Sequence, residues 1–223
     1  MNPDFHVHCL DLRTLIERIE ASHRNGEKIT RRMQEIWTAC FFALCLEHNE
    51  GTRFLMGFPE RGQPDRLVPL KEIFSGKVGE LDDWDIVLVP DSGPDGPIEC
   101  EIHQCQLVSY QRRQNPSTED LIAFLEEKKL RKAAGGDLRL VVSLDQATSF
   151  HFDWVAISMH LMTRSPACPY QQVSMFGNIR TPEAPLLRCR QVFPRMLPLR
   201  DLDMQTVRNL LQDRPTYPTL KRL

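Results

Sequence analysis

The stretch 82–110, DDWDIVLVPDSGPDGPIECEIHQCQLVSY, limits the fold more than any other part of the chain. Two apolar runs rich in β-formers flank a turn of Asp, Ser, Gly and Pro, which is a hairpin signal. Both runs are too apolar for a surface hairpin, yet they carry Asp85 at the start of the first and Glu99, Glu101, His103, Gln104 and Gln106 in the second. Polar groups on buried strands need partners, and a divalent metal or a catalytic role supplies one. Side chains two apart share a face of a strand, so Glu99, Glu101 and His103 project together and Gln104 and Gln106 project oppositely. A turn centred near Pro94 sets Asp85 beside Glu101 and His103. A slip of one residue sets it beside Ile102 and Gln104 instead. The first register groups the carboxylates. Two carboxylates so placed suit a hard cation, Mg²⁺ or Mn²⁺, that keeps some of its waters.

The whole chain sets outer limits. Its 223 residues are 41% hydrophobic and 26% charged, as in a soluble globular protein, with a net charge of −2. A purely electrostatic nucleic-acid binder is normally more basic, so any nucleic-acid contact has to come from a local patch. No apolar run is long enough to span a bilayer, which predicts no membrane partner. The first residues, MNPDFHVHCLDLRTL, lack the apolar core of a secretory signal. The seven cysteines are odd in number and scattered, which predicts free thiols in a reducing cytoplasm.

Taken in order, residues 10–24 have helical spacing through Leu12, Leu15, Ile16 and Ile19, stopped by Asn25-Gly26. Residues 27–48 predict a longer helix, with Ile29, Met33, Ile36, Trp37, Cys40, Phe41, Leu44 and Cys45 on its apolar side. A strand is predicted over 52–58 and a short helix near 70–74. After the hairpin, Ser117 or Thr118 caps a helix over 117–134, with Glu119 or Asp120 in its first turn. The run LRLVVSL, 138–144, suits a buried central strand. A helix over 152–162 and a last strand over 171–179 follow. From Thr181 onward Pro recurs, which predicts a C-terminal tail (181–223) carrying one helix at 201–212 and docking on the domain or on a protein partner. A strand–helix–strand crossover makes its two strands parallel. The class is α/β or α+β, one domain over 1–180 with a mixed sheet and flanking helices.

The order of elements over 27–144 resembles the restriction-endonuclease-like, or PD-(D/E)XK, nuclease superfamily, whose core runs helix, three-strand meander, crossover helix, strand (αβββαβ). That family's motif sets an Asp on the second strand and an acid-x-Lys on the third. Asp85 matches the Asp, Glu101 matches the acid, and the lysine position falls on His103. Trp84 replaces the motif's Pro. An acid on the first helix is also common in the family, for which Glu35 or Glu47 would serve. An alternative alignment lays Gln104-x-Gln106 on the motif and removes the acid. The resemblance implies a metal-dependent nucleic-acid phosphodiesterase, with Asp85 and Glu101 holding Mg²⁺ or Mn²⁺ and His103 in place of the lysine. It equally implies a rival, in which the fold has lost catalysis and serves as an interaction module.

Arg112 and Arg113, with Lys128 and Lys129 on the crossover helix, are the candidate phosphate contacts, against the ordinary reading of a solvated face. His and Cys gather at His6, His8 and Cys9, at Cys40, Cys45 and His48, and at Cys100, His103 and Cys105. None has zinc-site spacing, and buried free thiol is the expectation. Glycine-rich phosphate loops and the GxSxG elbow are absent from the sequence.

Overall fold

A computed structural model of the chain describes residues 5–61, 73–74, 86–91, 103–110, 116–131, 138–144, 152–180, 185–214 and 221–222. Its strands among these residues are β1 (Phe5–Asp11), β2 (Phe54–Arg61), β3 (Ile86–Pro90), β4 (His103–Tyr110), β5 (Arg139–Leu144), β6 (Gln172–Arg180), β7 (Pro185–Phe193), β8 (Arg200–Asp203) and β9 (Lys221–Arg222). Its helices are α1 (Leu12–Arg24), α2 (Arg31–Glu50), α3 (Thr118–Leu125, continued by a π-helical turn over Glu126–Leu130), α4 (Trp154–Thr163) and α5 (Met204–Gln212). The chain is a mixed α/β protein. It divides into two compact units, residues 1–104 with 207–223, and residues 105–206.

In the first unit the strands pair antiparallel in the order β9-β1-β2-β3. The helices start and stop where short-range chemistry dictates. Asp11 accepts the Arg13 N–H at 2.8 Å to cap α1, which buries Leu12, Leu15, Ile16 and Ile19. Thr30 accepts the Met33 N–H at 3.1 Å, so α2 begins at Arg31 rather than at 27. Gly51, at φ +69°, ends it in the left-handed conformation that glycine adopts without strain. The middle of α2 is buried without a break from Ala39 to Glu47, as its all-round apolarity predicts. Trp37 departs from prediction. It is 39% exposed and meets Phe41 edge-on.

Strand β1 is not predicted by the sequence reading. Neither are β7 and β8, or β9, which lie in the stretch from Thr181 onward where only a helix is expected. Residues 207–223 complete the first unit because Arg214 enters its interior. The Arg214 guanidinium donates to Asp11 Oδ2 at 2.6 Å, to the Phe54 carbonyl at 3.2 Å and to Glu47 Oε1. Glu47 Oε1 also accepts the Phe54 N–H at 2.6 Å. Asp11, Glu47 and Arg214 are all buried.

The second unit holds the order β4-β5-β6-β7-β8. Strands β4, β5 and β6 are parallel, with α3 and α4 as the crossovers, and β7 and β8 return antiparallel. The parallel crossover from β4 through α3 to β5 agrees with the sequence reading. A capping box opens α3. Ser117 accepts the Asp120 N–H at 3.1 Å, and Asp120 accepts the Ser117 N–H at 2.9 Å. Tyr110 packs edge-on against Phe124 of α3, with ring centroids 5.1 Å apart. The Ser158 hydroxyl of α4 donates to the Val192 carbonyl at 2.8 Å.

The buried ion cluster makes a measurable claim. Removing one partner of a buried pair leaves the other charge uncompensated, so Arg214→Met should lower unfolding stability by about 3–5 kcal/mol. Burial pushes the Glu47 carboxyl above its ordinary range, and Arg214 opposes that rise. A carboxyl raised in the folded state contributes stability that is present below its unfolded value and lost as pH rises through the folded value. Without Arg214 the rise is larger. The deficit of the variant, read from urea midpoints, should therefore widen from about pH 5 to about pH 8. A deficit that does not change with pH would remove this account of the cluster.

Candidate functional site

The residues that carry the predicted metal site fall mostly outside the described part of the structure. Asp85, Glu101, Arg112 and Arg113 all lie outside the described residues, and His103 is described as the first backbone position of β4. Among the described residues no group of three or more His, Cys, Asp or Glu converges in a way that would hold a metal ion.

The two first-helix acids are both committed elsewhere. Glu47, which the resemblance offers as a first-helix acid, is buried and bonded to Arg214 and the Phe54 N–H. Glu35 accepts from Arg31 Nε at 2.9 Å and sits 3.7 Å from Arg32 Nη1. The helical spacing of these arginines and Glu35 was visible in the sequence. The role of Glu47 was not, because its partner lies 167 residues away.

The predicted basic pair splits. Lys128 is exposed and pairs with Glu127. Lys129 is half-buried, and its ammonium donates to Gln106 Oε1 on β4 at 3.2 Å. The Tyr170 hydroxyl donates to the same oxygen at 2.8 Å. The buried positions of this helix are Leu121, Leu125 and then Leu130, a step of four followed by a step of five. An unbroken α-helix would set Lys129, four residues after Leu125, on the buried face; the extra residue gives that place to Leu130 and leaves Lys129 half-buried beside it.

One arginine holds this turn. Arg164, directly after α4, donates through Nε and Nη2 to the two oxygens of Glu126, each at 2.9 Å. It also donates to the carbonyls of Leu130 at 3.1 Å, Pro166 at 2.6 Å and Ala167 at 2.9 Å. His160 Nε2 lies 2.8 Å from Glu126 Oε1. The hydrogen bonds from Arg164, helped by that from His160, hold the Glu126 carboxyl down at about 2. Sequence reasoning missed this cluster, since Glu126 and Arg164 are 38 residues apart and only the tertiary fold joins them.

The cysteines behave as buried thiols. Cys9, Cys40, Cys45, Cys105 and Cys189 are buried and in no disulfide among the described residues. Burial pushes the Cys40 thiol up, and the Cys189 thiol up to about 12, so neither is a ready nucleophile. Among the described residues no helix is long and apolar enough to cross a membrane. No protein-family model, no curated protein and no solved structure matches the chain.

The Glu126 clasp has a pH signature. Its carboxyl is lowered in the folded state, so its stabilising contribution is present above the ordinary value of 4.5 and is lost as pH falls toward about 2. Arg164→Met removes most of that dependence. Urea midpoints measured at about pH 6 and about pH 2.5 should fall further for the wild type than for the variant. Equal falls would mean that Glu126 does not carry the effect.

Proposed function

We propose that the chain is a divalent-cation-dependent phosphodiesterase acting on nucleic acid, built on a restriction-endonuclease-like αβββαβ core formed by α2, β2, β3, β4, α3 and β5. The observation that carries this reading is the order of these elements together with two pairings, antiparallel β2/β3 and parallel β4/β5 joined across α3. The sequence adds the motif residues at the matching places. Asp85 immediately precedes β3, and Glu101 comes two residues before the start of β4.

In this reading Asp85 and Glu101 hold Mg²⁺ or Mn²⁺ through oxygen. Their donor chemistry suits a hard cation. Glu35 and Glu47 contribute nothing to it, since arginines hold both. A bound cation would lower the pKa of a water and offset charge on the phosphoryl group. The imidazole of His103 takes the motif's third position and accepts the proton of the attacking water. Lys128, Arg112 and Arg113 supply positive charge for phosphates, while Lys129 is engaged by Gln106.

A second reading, a nuclease-fold interaction module without catalysis, is favoured by α4. Val155, Met159 and Met162 are 57%, 50% and 48% exposed along one side of that helix. The two readings diverge on one experiment. The wild-type chain and Asp85→Asn are titrated with Mn²⁺ and Mg²⁺ while the melting temperature and cleavage of DNA and RNA oligonucleotides are followed. A ligand that binds the native state raises the apparent melting temperature. The phosphodiesterase reading expects a rise and cleavage in the wild type, and loss of both in Asp85→Asn with its metal-free melting temperature retained. Cleavage that survives in Asp85→Asn, or no metal response in the wild type, sends the assignment to the interaction module.

A further inference from the structure

Helix α4 is apolar on two sides. Trp154, Ile157 and Leu161 are buried, while Val155, Met159 and Met162 are exposed. The exposed three fall at i, i+4 and i+7, so they line one side of the helix over about 10 Å. A helix at the surface of a domain normally turns polar residues outward, whereas one that is apolar all round is buried all round. The outer face of α4 therefore calls for a cover.

Charge indicates what that cover is. Helix α3 lies beside α4 and runs in the same direction. Their first turns meet where the Asp153 N–H donates to Thr118 Oγ1 at 2.9 Å, and their far ends meet where Arg164 donates to the Leu130 carbonyl at 3.1 Å. The solvent side of the pair has an acidic end, with Glu119, Asp120 and Asp153 exposed. It has a basic end, with Lys128 and Arg131 exposed. Between them on α3 are the small exposed Ala123 and Glu127, which Lys128 holds at 2.5 Å. All of these residues belong to the second unit.

We propose that this face is a two-fold interface with a second copy of the chain, in which α4 lies antiparallel on its counterpart. Met159 then meets its own counterpart at the axis, and Val155 meets the counterpart of Met162. The acidic end of each α3 lies over the basic end of the other, which is the self-complementarity a two-fold interface requires. A parallel arrangement would set acid on acid. The same carboxylates oppose an anionic lipid surface. Two helices about 15–20 Å long cover only a few hundred Å² per copy, at the low end of specific interfaces, so the association is weak, with a dissociation constant on the order of tens of micromolar. The interface rests on α3 and α4 alone and holds whether or not the chain is a phosphodiesterase.

The test is analytical ultracentrifugation of the full chain, from low micromolar concentration into the hundreds of micromolar. The wild type should pass from monomer to dimer. Met159→Glu, at an exposed position, should keep the melting temperature and weaken the dimer at least about tenfold. Glu119→Arg and Arg131→Glu should each weaken it about threefold, and the double variant should restore it, because each new charge then meets its opposite in the other copy. A wild type that stays monomeric throughout overturns the proposal. So does a Met159→Glu chain that dimerises as the wild type does. A double variant no stronger than either single one overturns the antiparallel arrangement and the proposal with it.

Discussion

A guanidinium buried between two carboxylates holds the first unit together. Arg214 reaches Asp11 at the junction of β1 and α1, Glu47 in the last turn of α2, and Phe54 at the start of β2. None of the three charges is tolerable in that interior without the others. Arg214, two residues after α5, is thereby tied into the unit. Strand β9, from the same end of the chain, pairs with His8 and Cys9 at the edge of β1. Chemistry read locally as an ordinary helix cap at Asp11 thus serves a second purpose. One oxygen caps α1 and the other receives Arg214.

The second unit solves a different problem. Its three adjacent parallel strands need helices to return the chain. Helix α3 does this with an inserted residue, and Arg164 secures the resulting turn by binding both oxygens of Glu126 and three carbonyls. The consequence reaches β4, where Lys129 and Tyr170 converge on a single oxygen of Gln106. Lys129 is half-buried there. Its neighbour Lys128 stays in solvent as charge patterning suggests.

The proposed chemistry draws on both kinds of evidence. The carboxylates of the hairpin come from sequence, and the pairings that make the core come from the fold. Glu47 is buried against Arg214, and Glu35 pairs with Arg31 along the helix surface. Asp85 and Glu101 are the acids of the proposed site.

Much of the fold was legible in the sequence wherever the controlling interaction is local. The spacing of Leu12, Leu15, Ile16 and Ile19, the cap at Ser117, and the β-branched run of β5 all act over a few residues, and their elements formed close to the predicted bounds. The parallel relation of β4 and β5 followed from the intervening helix, because a crossover leaves no other direction. The candidate acids of the hairpin were likewise visible as residues too polar for their surroundings. Other features depended on neighbours distant in sequence. Strand β1 is His-bearing and weakly patterned, and it exists by pairing with β2 and β9. Strands β7 and β8 form in a Pro-rich stretch because β6 offers an edge to pair with. The burial of Glu47 and the seat of Arg214 leave no trace in local pattern. An ion pair between residues 203 apart is decided only when the chain closes on itself.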